Sequence, residues 1–260
     1  MSTRPIGELV GLADALIEEA ERRKVGLRLL GGVAVWLSSP TGRAVHSLQR
    51  GYNDLDFVAV RKGSGALPAV FATCGWEADA RFNTLHGKTR LLFFHGGDLQ
   101  ADIFLGEFEQ CHKLDIGQAV LRVPRTMPPA ELLLTKLQIR QPNEKDITDT
   151  LSLLLDHDFG AGSGAQGAAG DDGAGARELD TIRRVTGSDW GWYATCVDSL
   201  AVMRTGAERL LAGHAQATAI ARIDALASAI EATPKSIGWR FRATIGRRMA
   251  WYEEPEEVNR

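Results

Sequence analysis

Arg28-Leu29-Leu30-Gly31-Gly32-Val33-Ala34-Val35-Trp36-Leu37-Ser38, continued after a spacer by Asn53-Asp54-Leu55-Asp56-Phe57-Val58-Ala59-Val60, carries the clearest pattern in the chain. Two apolar runs bounded by turn residues predict strands, and the Gly31-Gly32 pair opens a helix between them. Successive side chains of a strand alternate faces, so Asp54 and Asp56 share one face while Leu55 and Phe57 enter the opposite layer. Carboxylates placed together repel unless one is protonated or a cation lies between them, and hard oxygen ligands suit Mg²⁺. The start of a helix offers unpaired N–H groups and the positive end of its dipole, and glycine there lets a phosphate come close. A phosphate beside a divalent ion is the chemistry of a nucleoside triphosphate.

The glycine pair followed by Asp54-Leu55-Asp56 on a strand resembles the signature of the DNA polymerase beta nucleotidyltransferase superfamily. The resemblance implies a third carboxylate on a neighbouring strand, and Asp102 within Gln100-Ala101-Asp102-Ile103-Phe104-Leu105 fits that place. Thr41 to Gly51 makes the spacer longer than the family's usual one. Pro129 to Lys136, with Glu144 to Asp149, is similar to the segment after the catalytic sheet in toxin-type nucleotidyltransferases of bacterial abortive-infection systems. From that likeness Lys136 and Asp149 are expected to join Gly31 and Gly32 in nucleotide handling, with Lys145 beside them on a charged helix face.

The chain has 260 residues, 44% of them hydrophobic and 24% charged, values ordinary for a globular protein with ample core. A net charge of −3 argues against a protein whose main task is to coat nucleic acid. Cys74, Cys111 and Cys196 are few and far apart, which predicts free thiols rather than a zinc site or disulfide framework. Glu8, Asp14, Glu18 and Glu19 interrupt any secretory segment, and no uncharged apolar run is long enough to span a membrane, so a cytoplasmic protein is expected.

The predicted fold class is α+β: a mixed, mostly antiparallel sheet with helices, of the polymerase beta-like nucleotidyltransferase kind, followed by a C-terminal helical bundle. Pro5 to Lys24 predicts a helix covering the sheet, and Leu67 to Cys74 a short one returning to it. Further strands are expected at 76–80, 88–94, 99–105 and 118–123, with Asn83 in a turn. Residues 1–126 form the expected catalytic domain and 127–159 a helical pair packed on it. A Gly/Ala-rich linker occupies 160–176, and helices at 177–185, 190–211, 216–230 and 236–252 complete 177–260. Gly162 to Gly167 spells the dinucleotide pattern G-x-G-x-x-G, but its surroundings are those of a linker. Trp190, Trp192 and Tyr193 read as packing residues. The last helix combines Lys235, Arg240, Arg242, Arg247 and Arg248 with Trp239, Phe241 and Trp251, suited either to RNA contacts or to balancing the acids from Glu253 onward.

The expected activity is Mg²⁺-dependent transfer of a nucleoside monophosphate from an NTP to an acceptor hydroxyl, with Asp54, Asp56 and Asp102 holding one or two metal ions. The acceptor is a small molecule or an RNA such as tRNA. Two other classes share these residues: a non-catalytic nucleotide-binding or toxin–antitoxin partner protein, and a metal nuclease for which the glycine pair would have no role.

Overall fold

The computed structural model describes residues 4–160 and 174–254. The rejected dinucleotide pattern and most of the linker lie outside them. The chain divides into two compact units, the first built from Met1–Ser38, Arg50–Phe108 and Lys113–Pro128 and the second from Ser39–Gln49, Glu109–His112 and Pro129–Arg260. The fold is α+β with a mixed sheet.

The first unit runs α1 (Ile6–Arg22), β1 (Leu27–Leu30), α2 (Gly31–Ser38), β2 (Asp54–Ala59), α3 (Leu67–Thr73), β3 (Glu77–Ala78), α4 (Ala80–His86), β4 (Arg90–His95) and β5 (Leu99–Leu105). The strand order is β1-β2-β5-β4-β3, with β2 and β5 parallel and the other neighbours antiparallel. One sheet face is packed hydrocarbon. Leu55, Phe57, Ala101 and Ile103 are wholly buried there, and Phe71 of α3 stacks on Phe93 at 4.1 Å and meets Phe57 edge-on at 6.1 Å. Leu9, Ala13, Leu16, Ile17 and Ala20 are the buried stripe of α1, as the helical spacing predicts. The alternation of β2 therefore sends Asp54 and Asp56 to the other face.

Two elements of the first unit differ in kind from expectation. Asn83 lies within a helix, because Asp79 accepts the Phe82 N–H (2.8 Å) and caps α4. From there the Asn83 amide accepts from Leu92 N (2.7 Å) and donates to Leu92 O (3.0 Å), taking the place of a strand partner. The strand expected at 118–123 is instead a 3₁₀ turn, Ala119–Arg122. Ala119 N donates to Ile116 O and Leu121 N to Gln118 O (3.1 and 3.3 Å), closing tight turns, and the backbone pairs with β1 beyond Pro124, where Leu29 N donates to Arg125 O and Met127 N to Leu29 O (2.9 Å each).

In the second unit α5 (Pro129–Leu137), α6 (Glu144–Asp156), α7 (Ala174–Ser188), α8 (Trp190–Leu210), α9 (Gly213–Ala232) and α10 (Ile237–Ile245) form a helical assembly. Asn143 and Asp146 make a capping box that starts α6. At Gly206 a Cβ would meet Ile147 at 2.5 Å, so the missing side chain lets α8 lie close to α6. Much of the long spacer belongs here as well: Thr41 and Gly42 donate their N–H groups to Asp156 (3.0 and 2.8 Å).

The last helix is shorter than its composition predicts, since Gly246 at φ +60 ends it. Its basic residues divide. Arg247 makes a two-point contact with Asp198 (2.7 Å each), and Arg242 donates to the carbonyls of Gly246, Met249 and Ala250 while lying over Trp190. Arg240, Arg247 and Arg248 are exposed, whereas Lys235 and Arg242 are half-buried.

His112 packs its ring beside Trp192 (5.1 Å) and holds Nε2 at 2.9 Å from Thr195 Oγ1. Burial pushes this imidazole below the ordinary histidine value of 6.5. As pH falls through that value the unfolded chain takes the proton first, so stability present above it is lost below it. Urea unfolding at pH about 5.5 should need less denaturant than at about 7.5, and His112→Gln should flatten the difference; an unchanged pH slope in the variant would assign it to other groups. The cysteines are free, and burial pushes the Cys196 thiol up to about 12. Among the described residues no helix is long and apolar enough to cross a membrane.

Candidate functional site

The site is built on the open face of the sheet. In the parallel ladder Asp54 lies opposite Gln100 and Asp56 opposite Asp102, so the four side chains form a block on two strands about 4.8 Å apart. Asp54 is exposed, Asp56 half-buried and Asp102 only 5% exposed. Asp102 is held at both oxygens: Arg90 Nε donates to Oδ1 at 2.7 Å and Gln100 Nε2 to Oδ2 at 2.6 Å. Arg90 in turn lies over the rings of Phe104 and Phe82, at 5.0 and 5.6 Å.

The glycine turn delivers backbone to this face. Gly31 has φ +66, a conformation that L side chains avoid, and a Cβ there would lie 1.9 Å from Asp56 Oδ2. At Gly32 a Cβ would lie 2.1 Å from Arg50 Nη2 and 3.1 Å from the Tyr52 ring. At both positions the place of a Cβ is taken by another side chain of the site, the Asp56 carboxylate at Gly31 and the Arg50 guanidinium at Gly32. Gly31→Ala should cost about 1–2 kcal/mol from the backbone conformation alone and displace Asp56 besides. A guanidinium unfolding curve reads this, and a variant as stable as the parent would show that the turn relaxes freely.

Gly31, Gly32, Asp54, Asp56 and Asp102 are thus gathered in the first unit. Lys136 and Asp149 belong to the second, where Lys136 Nζ lies 2.9 Å from Asp149 and 3.1 Å from Asp146. Lys145 lies on α6, its backbone N–H donating to Asn143 Oδ1 at 2.9 Å.

Sequence reasoning missed Arg50, Gln100 and Arg90. An arginine just before an acidic strand was a usable signal for Arg50. Nothing local marks Arg90, whose meeting with Asp102 depends on the pairing of β4 with β5.

Among the described residues no three His, Cys, Asp or Glu side chains form a ready metal-binding group. The donors nevertheless suit Mg²⁺, which demands oxygen ligands, keeps several waters and commonly takes one or two carboxylates plus substrate phosphates rather than a closed protein cage. Asp54 and Asp56, emerging on one face near the start of α2, provide such a pair. No protein-family model matches the chain, and no curated protein matches it at a significant level.

Proposed function

We propose that the chain is a Mg²⁺-dependent nucleotidyltransferase of the polymerase beta-like kind, moving a nucleoside monophosphate from an NTP to an acceptor hydroxyl on a small molecule or an RNA. The observation that carries the proposal is the register of β2 and β5, which sets Asp54 and Asp56 on one face beside Asp102, with Asp56 against the glycine turn of α2. In the reaction the acceptor oxygen bonds to the α-phosphorus, the bond from that phosphorus to the bridging oxygen breaks, and pyrophosphate leaves with the electron pair.

Asp54 and Asp56 would hold the metal, which when bound neutralises charge on the phosphates. The backbone N–H groups at the start of α2 would orient the polyphosphate. Asp102 would receive the proton of the acceptor hydroxyl with Arg90 and Gln100 still in place, because each carboxylate oxygen can accept more than one hydrogen bond. Holding hydroxyl and phosphorus in line supplies much of the remaining acceleration.

One observation favours a second reading. Arg90 and Gln100 hold both oxygens of Asp102, an arrangement that suits a carboxylate positioning its neighbours rather than taking a proton, and so a protein that binds nucleotide without transferring it. Incubation with each α-labelled NTP, Mg²⁺ and a cell extract separates the two. Transfer predicts label on RNA, protein or a small molecule together with pyrophosphate release; retained nucleotide with no pyrophosphate supports the binding protein, and cut nucleic acid without pyrophosphate supports a nuclease.

A further inference from the structure

We infer that α10 and the turn after it form a docking surface for an anionic lipid bilayer, met from one side and not crossed. Ile237, Phe241 and Met249 are 88%, 72% and 62% exposed, a concentration of large apolar side chains that marks an interaction surface. Ile237 and Phe241 are four positions apart on the helix and so share a face. Arg240 adjoins Phe241 in the chain and Arg248 adjoins Met249. Both arginines are exposed, and among the described residues neither guanidinium has a hydrogen-bond or ion-pair partner. The helix is fastened from behind: Ser236 Oγ accepts the Trp239 N–H (3.1 Å), Trp239 meets Tyr193 edge-on at 5.1 Å, and Arg242 lies over Trp190 at 4.9 Å.

Charge decides the occupant. No acid occurs from Ala232 to Tyr252, and on neighbouring helices Asp198 is taken up by Arg247 and Glu231 by Tyr193. Apolar side chains beside uncompensated positive charge match a partner that offers hydrocarbon beneath a layer of negative charge, which is the make-up of an anionic membrane surface. The apolar side chains enter the boundary of the acyl layer while the arginines stay among the headgroups. A second copy docked symmetrically on this face would set Arg240 and Arg248 against their own counterparts, a like-charge arrangement. Single-stranded nucleic acid would use the arginines and the Phe241 ring but leave Ile237 and Met249, which have no π-face, unmatched.

Co-sedimentation of the full chain with phosphatidylcholine vesicles, with and without added phosphatidylserine, tests the inference. Binding should be about 10- to 30-fold tighter on the anionic vesicles, the share of two arginines near the surface, and should weaken as salt is raised. Ile237→Ser/Phe241→Ser and Arg240→Gln/Arg248→Gln should each lower binding by about 10-fold or more, through lost apolar insertion and lost charge respectively. Arg240→Lys/Arg248→Lys should retain it, because attraction to a charged surface needs the charge and not the guanidinium fork. All four positions are exposed, so urea midpoints should not move, and a folding defect would show there. Failure of the parent chain to bind anionic vesicles, equal binding to neutral ones, or binding unchanged by both the serine and the glutamine pairs would overturn the inference. A short single-stranded RNA held by the parent and released by the glutamine pair, with vesicles left unbound, would reassign the face to nucleic acid; self-association abolished by the serine pair, again with vesicles unbound, would reassign it to a second copy.

Discussion

Asp54→Asn is expected to lower nucleotide transfer by about three orders of magnitude, equivalent to ~4 kcal/mol of lost transition-state stabilisation. Its unfolding free energy should stay within about 0.5 kcal/mol of the parent. The asymmetry follows from placement. Asp54 is at the exposed beginning of β2, opposite Gln100, whereas the packing of that strand is carried by Leu55 and Phe57 on the reverse face. Asparagine keeps the shape but loses the negative charge that a metal requires. Asp56 is a less clean target, because its carboxylate fills the space above Gly31 and its removal alters packing together with chemistry. Turnover and urea unfolding measured on the same Asp54→Asn preparation decide the matter; retained transfer would remove this residue from the mechanism.

Lys136→Met should destabilise the second unit by about 3–5 kcal/mol, the cost of breaking a buried ion pair by removing one partner. Side chains of Lys136, Asp146 and Asp149 are only 13%, 9% and 2% exposed, so losing the ammonium removes the cation between two carboxylates held largely away from water. Adding Asp149→Leu should recover part of the loss, because an apolar replacement of a buried pair is often tolerated. A urea midpoint for the single and double variants reads both effects. The resemblance assigned Lys136 and Asp149 to nucleotide handling; their mutual pairing gives each a stabilising task that needs no ligand. A Lys136→Met protein of parental stability would show that the pair contributes little to folding.

Much of the first unit was legible because its pattern is local. The alternation Asp54-Leu55-Asp56-Phe57 specifies which residues face the core, and the apolar spacing from Leu9 to Ala20 specifies the face of α1. What escaped depends on meetings between distant residues. Val120 is buried against Gly26, which local spacing could not reveal, and so a turn was mistaken for a strand. Asn83 resembled a turn residue because its role is to satisfy the backbone of Leu92, nine positions later. At the candidate site the acids and glycines were visible as types, but the partners that occupy them were not. Arg90 reaches Asp102 only through a strand pairing, and Arg50 reaches Gly32 only because the chain returns after its spacer.

The central claim is that Asp54 and Asp56 serve a divalent ion that brings in a nucleoside triphosphate. Isothermal titration with non-hydrolysable NTPs, performed with Mg²⁺ and again with the metal chelated, addresses it most directly. At least one NTP should bind with Mg²⁺, that binding should vanish on chelation, and it should vanish equally in an Asp54→Asn/Asp56→Asn protein that remains folded. Binding that survives both chelation and the double substitution, or no binding of any NTP, would contradict it.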